Sequence, residues 1–394
     1  MNILYLSDIR FPLERANGIQ TMETCYALAE RGHHVQLVVR SDTYLPARDP
    51  FEFYGLVATS RLGFRYAPVI GAPIVRRAVY LAYVIEHLLG SRQWNMIFTR
   101  DLGVAAMVLR FPARFRAPMV YESHGYAPVF AETLAELVTG KESGGSRKLR
   151  RLEKRERRVW QCADGYVATT QVLVDELTRR FGTREQLVTL GNATHIESAP
   201  SLESGTASGL PVAVYAGHFY HWKGVDVFLE ALALVPGLRG LLVGGHPGDP
   251  DEARLKALVH TLGIGDRVTF TGLVPRAEVG RLVRSATVCV VPTVDTPSAR
   301  YTSPLKLFEY MACGRPVIIS DLPPVREVVE NEQTALLVPP GDAGKLAAAL
   351  RRLLGDKVLA ARITRCASEV VSKYSWAQRA KNLEDLFQVV VNSE

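Results

Sequence analysis

The stretch Tyr301-Thr302-Ser303-Pro304-Leu305-Lys306-Leu307-Phe308-Glu309-Tyr310-Met311-Ala312-Cys313-Gly314 combines anion chemistry with hydroxyl chemistry on one helix. Ser303 reads as the N-cap and Pro304 as the first helical residue, where a missing N–H costs nothing. The free amides of Leu305 and Lys306 then point out of the helix end and, with the helix dipole, favour a phosphate-sized anion. Glu309 stands one turn further on the same face as Leu305. A carboxylate there repels phosphate and suits sugar hydroxyls, so the stretch reads as a nucleotide-sugar clamp. A second anion group comes from Lys223 in Gly217-His218-Phe219-Tyr220-His221-Trp222-Lys223-Gly224. Lysine at a helix start neutralises phosphate as a point charge. A lone Lys-Gly pair is more often only a solvated lysine, but both segments follow strand patterns.

The first half of the chain offers Gly18 and Tyr121-Glu122-Ser123-His124-Gly125. Gly18 follows the first strand, as a close approach for a ligand or as an ordinary turn glycine. His124 follows a buried strand, either at a ligand or as a structural hydrogen-bonding group. The spacing G-x-G-x-x-G is missing from the loop at 8–18 and from Gly244-Gly245-His246-Pro247-Gly248, and G-x-x-x-x-G-K-[ST] is absent. No G-x-S-x-G occurs. Asp249-Pro250-Asp251 precedes a helix, where acids cap by default, so no metal is expected there.

These residues need elements to position them. Strand patterns at 2–8, 35–39, 95–99, 119–122, 165–169 and 187–190 alternate with helices, which predicts a doubly wound α/β sheet. Residues 42–73 give no clear pattern. A small, polar stretch at 197–209 reads as a linker. Beyond it, strands at 212–216, 240–243, 267–271, 287–292, 317–320 and 335–338 alternate with helices again. The expected organisation is a first domain at 1–197, a linker at 198–209 and a second domain at 210–374. A final helix at 375–394 is placed to pack back on the first domain. Open α/β sheets take ligands at the carboxyl ends of their strands, so two such domains predict a site in the cleft where they face.

The bulk numbers agree with a globular protein: 394 residues, 47% hydrophobic and 22% charged. No apolar run spans a bilayer, and the N-terminus enters a strand without a basic leader, so a cytoplasmic protein is expected. Five cysteines lie far apart, without C-x-x-C, as buried residues of a reducing compartment do. The net charge of +7 is concentrated from Arg147 to Arg158, with Arg110, Arg114 and Arg116 as a second basic spot. The run is either a solvated helix face or a contact for anionic lipid headgroups at the inner face of a membrane. No nucleic-acid motif accompanies it, and no oligomeric state is assigned.

In their order, these segments resemble glycosyltransferase family 4, the retaining nucleotide-sugar transferases of the GT-B fold. The resemblance covers nearly the whole chain: the Gly18 loop, Glu122 to His124, the Arg-rich helix leading to Ala163-Asp164-Gly165, Gly191-Asn192, Lys223-Gly224, Phe270-Thr271-Gly272-Leu273-Val274, Phe308 to Ile318 and Tyr374-Ser375-Trp376. It implies two Rossmann-like domains across a cleft, with the donor on the C-terminal one. Lys223 and the amides near Leu305 would take the diphosphate, Glu309 the ribose hydroxyls, and the backbone at Leu273 and Val274 the base. His124 and Gly18 would approach the transferred sugar and the diphosphate. The sequence departs from the family twice. Tyr301 stands eight residues before Glu309, where the family commonly has a second glutamate that touches the sugar; Tyr301 and Glu122 are therefore the candidate sugar contacts. His218 replaces a common arginine, so one phosphate contact is weakened or becomes pH-dependent, a free histidine titrating near ~6.5.

The expected activity is transfer of a hexosyl or N-acetylhexosaminyl group from a nucleotide diphosphate sugar to a hydroxyl acceptor, with retention and without a metal. A UDP-sugar is the default donor, as substrate rather than cofactor. Alternatives are an epimerase or phosphorylase on the same architecture, a non-catalytic nucleotide-sugar-binding protein, and an adaptor built on the basic helix.

Overall fold

The computed structural model describes residues 1–89, 93–139, 146–196, 209–245 and 250–393. The expected linker lies outside these residues, apart from Gly209, as does Asp249. The chain divides into two compact units, Met1–Asn192 with Trp376–Glu394, and Ala193–Ser375. Residues 193–196 were expected in the first domain and belong to the second unit, because Thr194 N–H donates to Tyr374 O at 2.9 Å.

The first unit holds β1 (Asn2–Arg10), β2 (His34–Arg40), β3 (Leu62–Ala67), β4 (Met96–Thr99), β5 (Met119–Ser123), β6 (Gly165–Ala168) and β7 (Leu187–Thr189). They form a parallel sheet in the order β3-β2-β1-β4-β5-β6-β7. Ile3, Leu4, Tyr5 and Leu6 are fully buried, as expected of a strand covered on both faces. β3 falls in the stretch the sequence left unassigned. It is an edge strand, half exposed along its length, so it lacks a buried strand's apolar run. The final helix, Trp376–Asn392, belongs to this unit. Phe387 packs edge-on against Phe98 of β4 at 5.3 Å, and Glu384 accepts from Arg31 Nε at 2.7 Å.

The second unit holds β8 (Val212–Ala216), β9 (Arg239–Val243), β10 (Val268–Phe270), β11 (Val288–Val291), β12 (Val317–Ser320) and β13 (Leu336–Val338). Its parallel order is β10-β9-β8-β11-β12-β13. Alternation divides the core: Ala213 and Tyr215 face one cluster, Val214 and Ala216 the other. In both sheets the winding reverses beside the first strand, between β1 and β4 and between β8 and β11. These are the topological switch points where open α/β sheets leave a crevice.

Candidate active site

The loops that leave β8 and β11 carry the anion chemistry of the second unit. Gly217 follows β8 with φ +142°, a conformation few side chains adopt. A Cβ there would fall 2.5 Å from both Cε and Nζ of Lys306, so the glycine makes room for that lysine. The ammonium of Lys306 also lies 5.2 Å from the centre of the Tyr215 ring. Lys223 ends the short 3₁₀ turn His221–Lys223, and its N–H donates to Tyr220 O at 2.7 Å. Gly224 then turns left-handed with φ +68°, and any Cβ there would overlap the Pro292 carbonyl oxygen at the end of β11. The two loops are therefore locked together by backbone contact.

No carboxylate among the described residues lies within ion-pair distance of Lys223 or Lys306. Burial lowers the Lys223 ammonium below its ordinary range. Burial, and then the charge of Lys223, push Lys306 down to about 7 against the opposing pull of Glu309. Two neighbouring lysines, both weakened by burial and one of them also by the charge of the other, are a ready receptor for an anion.

The helix Leu305–Ala312 begins one residue later than expected. Pro304, at φ −81° and ψ 106°, is the N-cap and brings no capping side chain of its own. Ser303 is buried and stands one residue before the N-cap, because the extended ψ of Pro304 moves the helix start past it. Leu307 N–H turns back to Pro304 O at 3.1 Å. The amides of Leu305 and Lys306 have no intrahelical acceptor, by helix geometry.

Glu309 sits one turn down, and Arg276 Nη2 approaches its Oε1 to 3.7 Å. Leu273 and Val274 lie in the turn after β10, and Leu273 is exposed. Gly244 N–H donates to Gly272 O at 3.0 Å, and Gly245 N–H to Gly217 O at 3.3 Å, which lines up the ends of β8, β9 and β10. His218 stacks on Tyr220 at 5.1 Å, and Tyr220 on Trp222 at 4.8 Å. Its backbone is fixed by the Tyr215 hydroxyl, which donates to His218 O at 2.6 Å. Tyr301 closes the 3₁₀ turn Ala299–Tyr301 just before the helix.

In the first unit, Glu122 is fully buried at the end of β5, and both its oxygens are engaged. Oε1 accepts from Gln20 Nε2 at 2.5 Å and lies 2.6 Å from His124 Nε2; Oε2 accepts from Arg379 Nη2 at 2.8 Å. Arg379 also donates to Gly191 O at 3.0 Å, and Arg100 Nη1 donates to Gln20 Oε1 at 2.6 Å. Burial alone would raise the Glu122 carboxyl, but Arg379, His124 and Arg100 outweigh it and hold it well below the usual range. Burial, and then Arg100, push His124 down to about 4 despite Glu122. The imidazole is thus neutral at pH 7. An ionised Glu122 can only accept, so Nε2 carries the proton and Nδ1 is left as an acceptor. Glu122 corrects the expectation of a sugar contact: it is spent on orienting His124. Gly18 lies inside the helix Ala16–Glu30, where a Cβ would overlap the Leu13 carbonyl and the Tyr54 hydroxyl. Packing demands that glycine, and the expected open approach is filled by protein on that side.

A family model described as "Glycosyl transferase 4-like domain" matches residues 18–193, and one described as "Glycosyl transferases group 1" matches residues 210–356. The chain belongs to the family 4, group 1 glycosyltransferases. It is 30% identical to phosphatidyl-myo-inositol mannosyltransferase of Mycobacterium leprae over 57% of this chain and 60% of that protein. It is 28% identical to D-inositol 3-phosphate glycosyltransferase of Mycobacteroides abscessus over 68% of this chain and 60% of that one. The chain thus spans about 60% of the length of these curated relatives. Among solved structures, sucrose-phosphate synthase of Thermosynechococcus elongatus superposes with a TM-score of 0.81 at 21% identity, covering 100% of both chains. HepE of Anabaena, solved in complex with UDP-glucose, gives 0.74 at 19% identity, over 99% of this chain and 100% of that one. At such identities the likeness is one of fold, and that fold is GT-B.

This family 4 chain places several residues beside the candidate ones that its sequence did not announce. The Lys306 side chain is one, since only its amide was expected to act. A cation in the first turn opposes the helix dipole, and that mismatch was the available signal. Arg276, beside Glu309, opens the separate helix Arg276–Ser285, and no motif singles it out. Gln20, Arg100 and Arg379 converge on Glu122 from three separate segments, and no spacing rule connects them.

Proposed function

We propose that this chain transfers a hexosyl group from a nucleotide diphosphate sugar, a UDP-sugar first, to a hydroxyl acceptor with retention at the anomeric carbon. The observation that carries this reading is the pair Lys223 and Lys306 at the β8–β11 switch point, with no carboxylate partner among the described residues. A diphosphate with two negative charges matches that pair. Lys306 supplies a second cation beside Lys223. Glu309, beside Arg276, takes the ribose hydroxyls, and the turn at Leu273 and Val274 receives the base.

In the proposed step the bond from the anomeric carbon to the diphosphate oxygen breaks, and its electron pair leaves with the nucleotide. The lysines and the amides of Leu305 and Lys306 stabilise that charge as it develops. The acceptor oxygen bonds to the same face of the carbon, and its proton passes to the departing phosphate oxygen. Neutral His124 offers Nδ1 as an acceptor for a hydroxyl of the sugar. The exposed basic face from Arg147 to Arg158 is proposed to meet an anionic membrane surface. No helix among the described residues is long and apolar enough to cross a membrane.

The test is donor turnover by Lys223→Ala. Loss of one leaving-group cation is expected to lower it by about 10²-fold or more, and near-normal turnover would reject the assignment. Release of nucleotide diphosphate only when acceptor is present separates transfer from epimerisation and phosphorolysis.

A further inference from the structure

Arg379 is buried in the first turn of the last helix, with 5% of its surface exposed. A cation there opposes the helix dipole, so the helix gains nothing from its charge. The guanidinium is fixed by three acceptors: Nε donates to Gly191 O at 3.0 Å, Nη1 to Thr24 Oγ1 at 3.3 Å and Nη2 to Glu122 Oε2 at 2.8 Å. An apolar pair at 122 and 379 would hold the helix about as well, since buried ion pairs seldom surpass hydrophobic packing. What the charge does reach is His124. Its Nε2 is held by Glu122, its Nδ1 has no hydrogen-bond partner among the described residues, and its side chain is 22% exposed. Nδ1 is therefore the nitrogen left to a ligand.

The groups around Glu122 and His124 come from several elements. β1 brings Tyr5, the helix Ala16–Glu30 brings Gln20 and Cys25, the end of β4 brings Arg100, and the last helix brings Arg379. Burial pushes the Tyr5 hydroxyl and the Cys25 thiol up, so both stay neutral. Arg100 holds the amide oxygen of Gln20, which fixes its NH₂ on Glu122. The Glu122–His124 pair then carries a single proton, on Nε2. Oε2 faces Arg379, so a second proton has two places to go. On Oε1 it makes an acid that donates to Nε2, and the proton of the neutral ring must then sit on Nδ1. On the ring it makes an imidazolium, protonated on both nitrogens. Either way Nδ1 turns from acceptor to donor. Arg379 opposes the second proton in both places, since its charge lowers Glu122 and His124 alike.

We propose that Arg379 is a positioning residue: through the docked last helix it keeps a second proton off Glu122 and His124, so that Nδ1 remains a hydrogen-bond acceptor. The position beside Nδ1 then selects a ligand group that donates, such as a hydroxyl, and refuses one that only accepts, such as a carboxylate. The selection rests on the transfer reading, which puts a sugar hydroxyl there; the proton assignment does not.

The full chain, labelled with ¹⁵N at histidine, is followed by long-range proton–nitrogen NMR from pH 8 downward without ligand. His124→Gln identifies the His124 signals. In the parent Nε2 is expected to be protonated at pH 7 and Nδ1 bare, taking its proton only at about 4. Arg379→Met offers Oε2 no acceptor, so a proton there would be a buried unpaired donor. In this variant the pH at which Nδ1 gains its proton should rise by about 1–3 units. Arg379→Lys keeps the charge and should hold most of that shift back. A parent with a proton on Nδ1 at pH 7 overturns the proposal without any variant having to fold. An Arg379→Met chain that unfolds cooperatively but titrates at Nδ1 like the parent also overturns it, and leaves Arg379 a tie between helix and strand. The nucleotide sugar that most stabilises the parent in a thermal-shift panel is then titrated calorimetrically at pH 6. Arg379→Met should bind it about tenfold more weakly, as the loss of one hydrogen bond implies, and Arg379→Lys should stay closer to the parent. Equal affinity in Arg379→Met, with Nδ1 protonated, removes the selection alone. A parent that binds no nucleotide sugar loses the transfer reading, while the nitrogen signals still judge Arg379.

Discussion

Lys306→Met tests the lysine pair most directly, because Lys306 titrates where assays are run. Its ammonium is held down to about 7 by burial and by Lys223, against Glu309. In the free protein about nine in ten Lys306 side chains are therefore charged at pH 6 and about one in ten at pH 8. A diphosphate favours the charged form, so binding above pH 7 draws in a proton, and affinity falls as pH rises. If only the charged form holds the diphosphate well, affinity at pH 8 is about tenfold weaker than at pH 6, or ~1.4 kcal/mol. The assay is calorimetric titration with whichever nucleotide sugar stabilises the chain most. Its diphosphate diester has no group that titrates in this window. Runs at pH 8 in buffers of different ionisation heat should show uptake of close to one proton. Lys306→Met should bind weakly with a flat pH profile and no proton uptake, and should approach the parent above pH 8. Lys306→Arg should keep the affinity and lose the slope. A parent profile flat from pH 6 to 8.5, or a slope that survives in Lys306→Met, would refute the reasoning and point instead to a histidine such as His218.

Three further outcomes are expected. Glu156 is fully buried, its Oε1 accepts from Ala127 N–H at 3.0 Å, and burial raises its carboxyl to about 7. The unfolded chain releases this proton near 4.5 and the folded chain near 7, so stability falls as pH rises through that window. Glu156→Gln should therefore raise the melting temperature at pH 8, with a gain of about 2–3 kcal/mol, and change little at pH 4. Arg379→Met strips the buried Glu122 carboxylate of its guanidinium and should cost about 3–5 kcal/mol, read by denaturant unfolding. Adding Glu122→Gln should recover part of that loss. Gly224→Ala forces a Cβ onto the Pro292 carbonyl at φ +68°. It should destabilise the second unit by about 2 kcal/mol or more and weaken nucleotide-sugar binding measured by calorimetry.

Much of the fold is legible along the chain because parallel strands buried on both faces are short apolar runs. The expected strands at 212–216 and 317–320 coincide with β8 and β12. β3 was missed because an edge strand needs no such run. The helix before Gly314 was legible, but its start was misplaced. The preference of proline for the first helical position suggested Ser303 as the cap, and the backbone at Pro304 decided otherwise.

The sequence alone determined the alternating α/β pattern and the presence of Lys223 and Glu309 on segments that follow strands. These are local matters of residue type, spacing and period. Tertiary structure decided what meets what. It set the Lys306 ammonium against Gly217, 89 residues earlier in the chain by the numbering. It spent Glu122 on Arg379 rather than on a ligand. The physical reason is the same each time. The free energy of a charge depends on its burial and on the charges around it, and parallel sheets bring together residues that lie far apart in the chain.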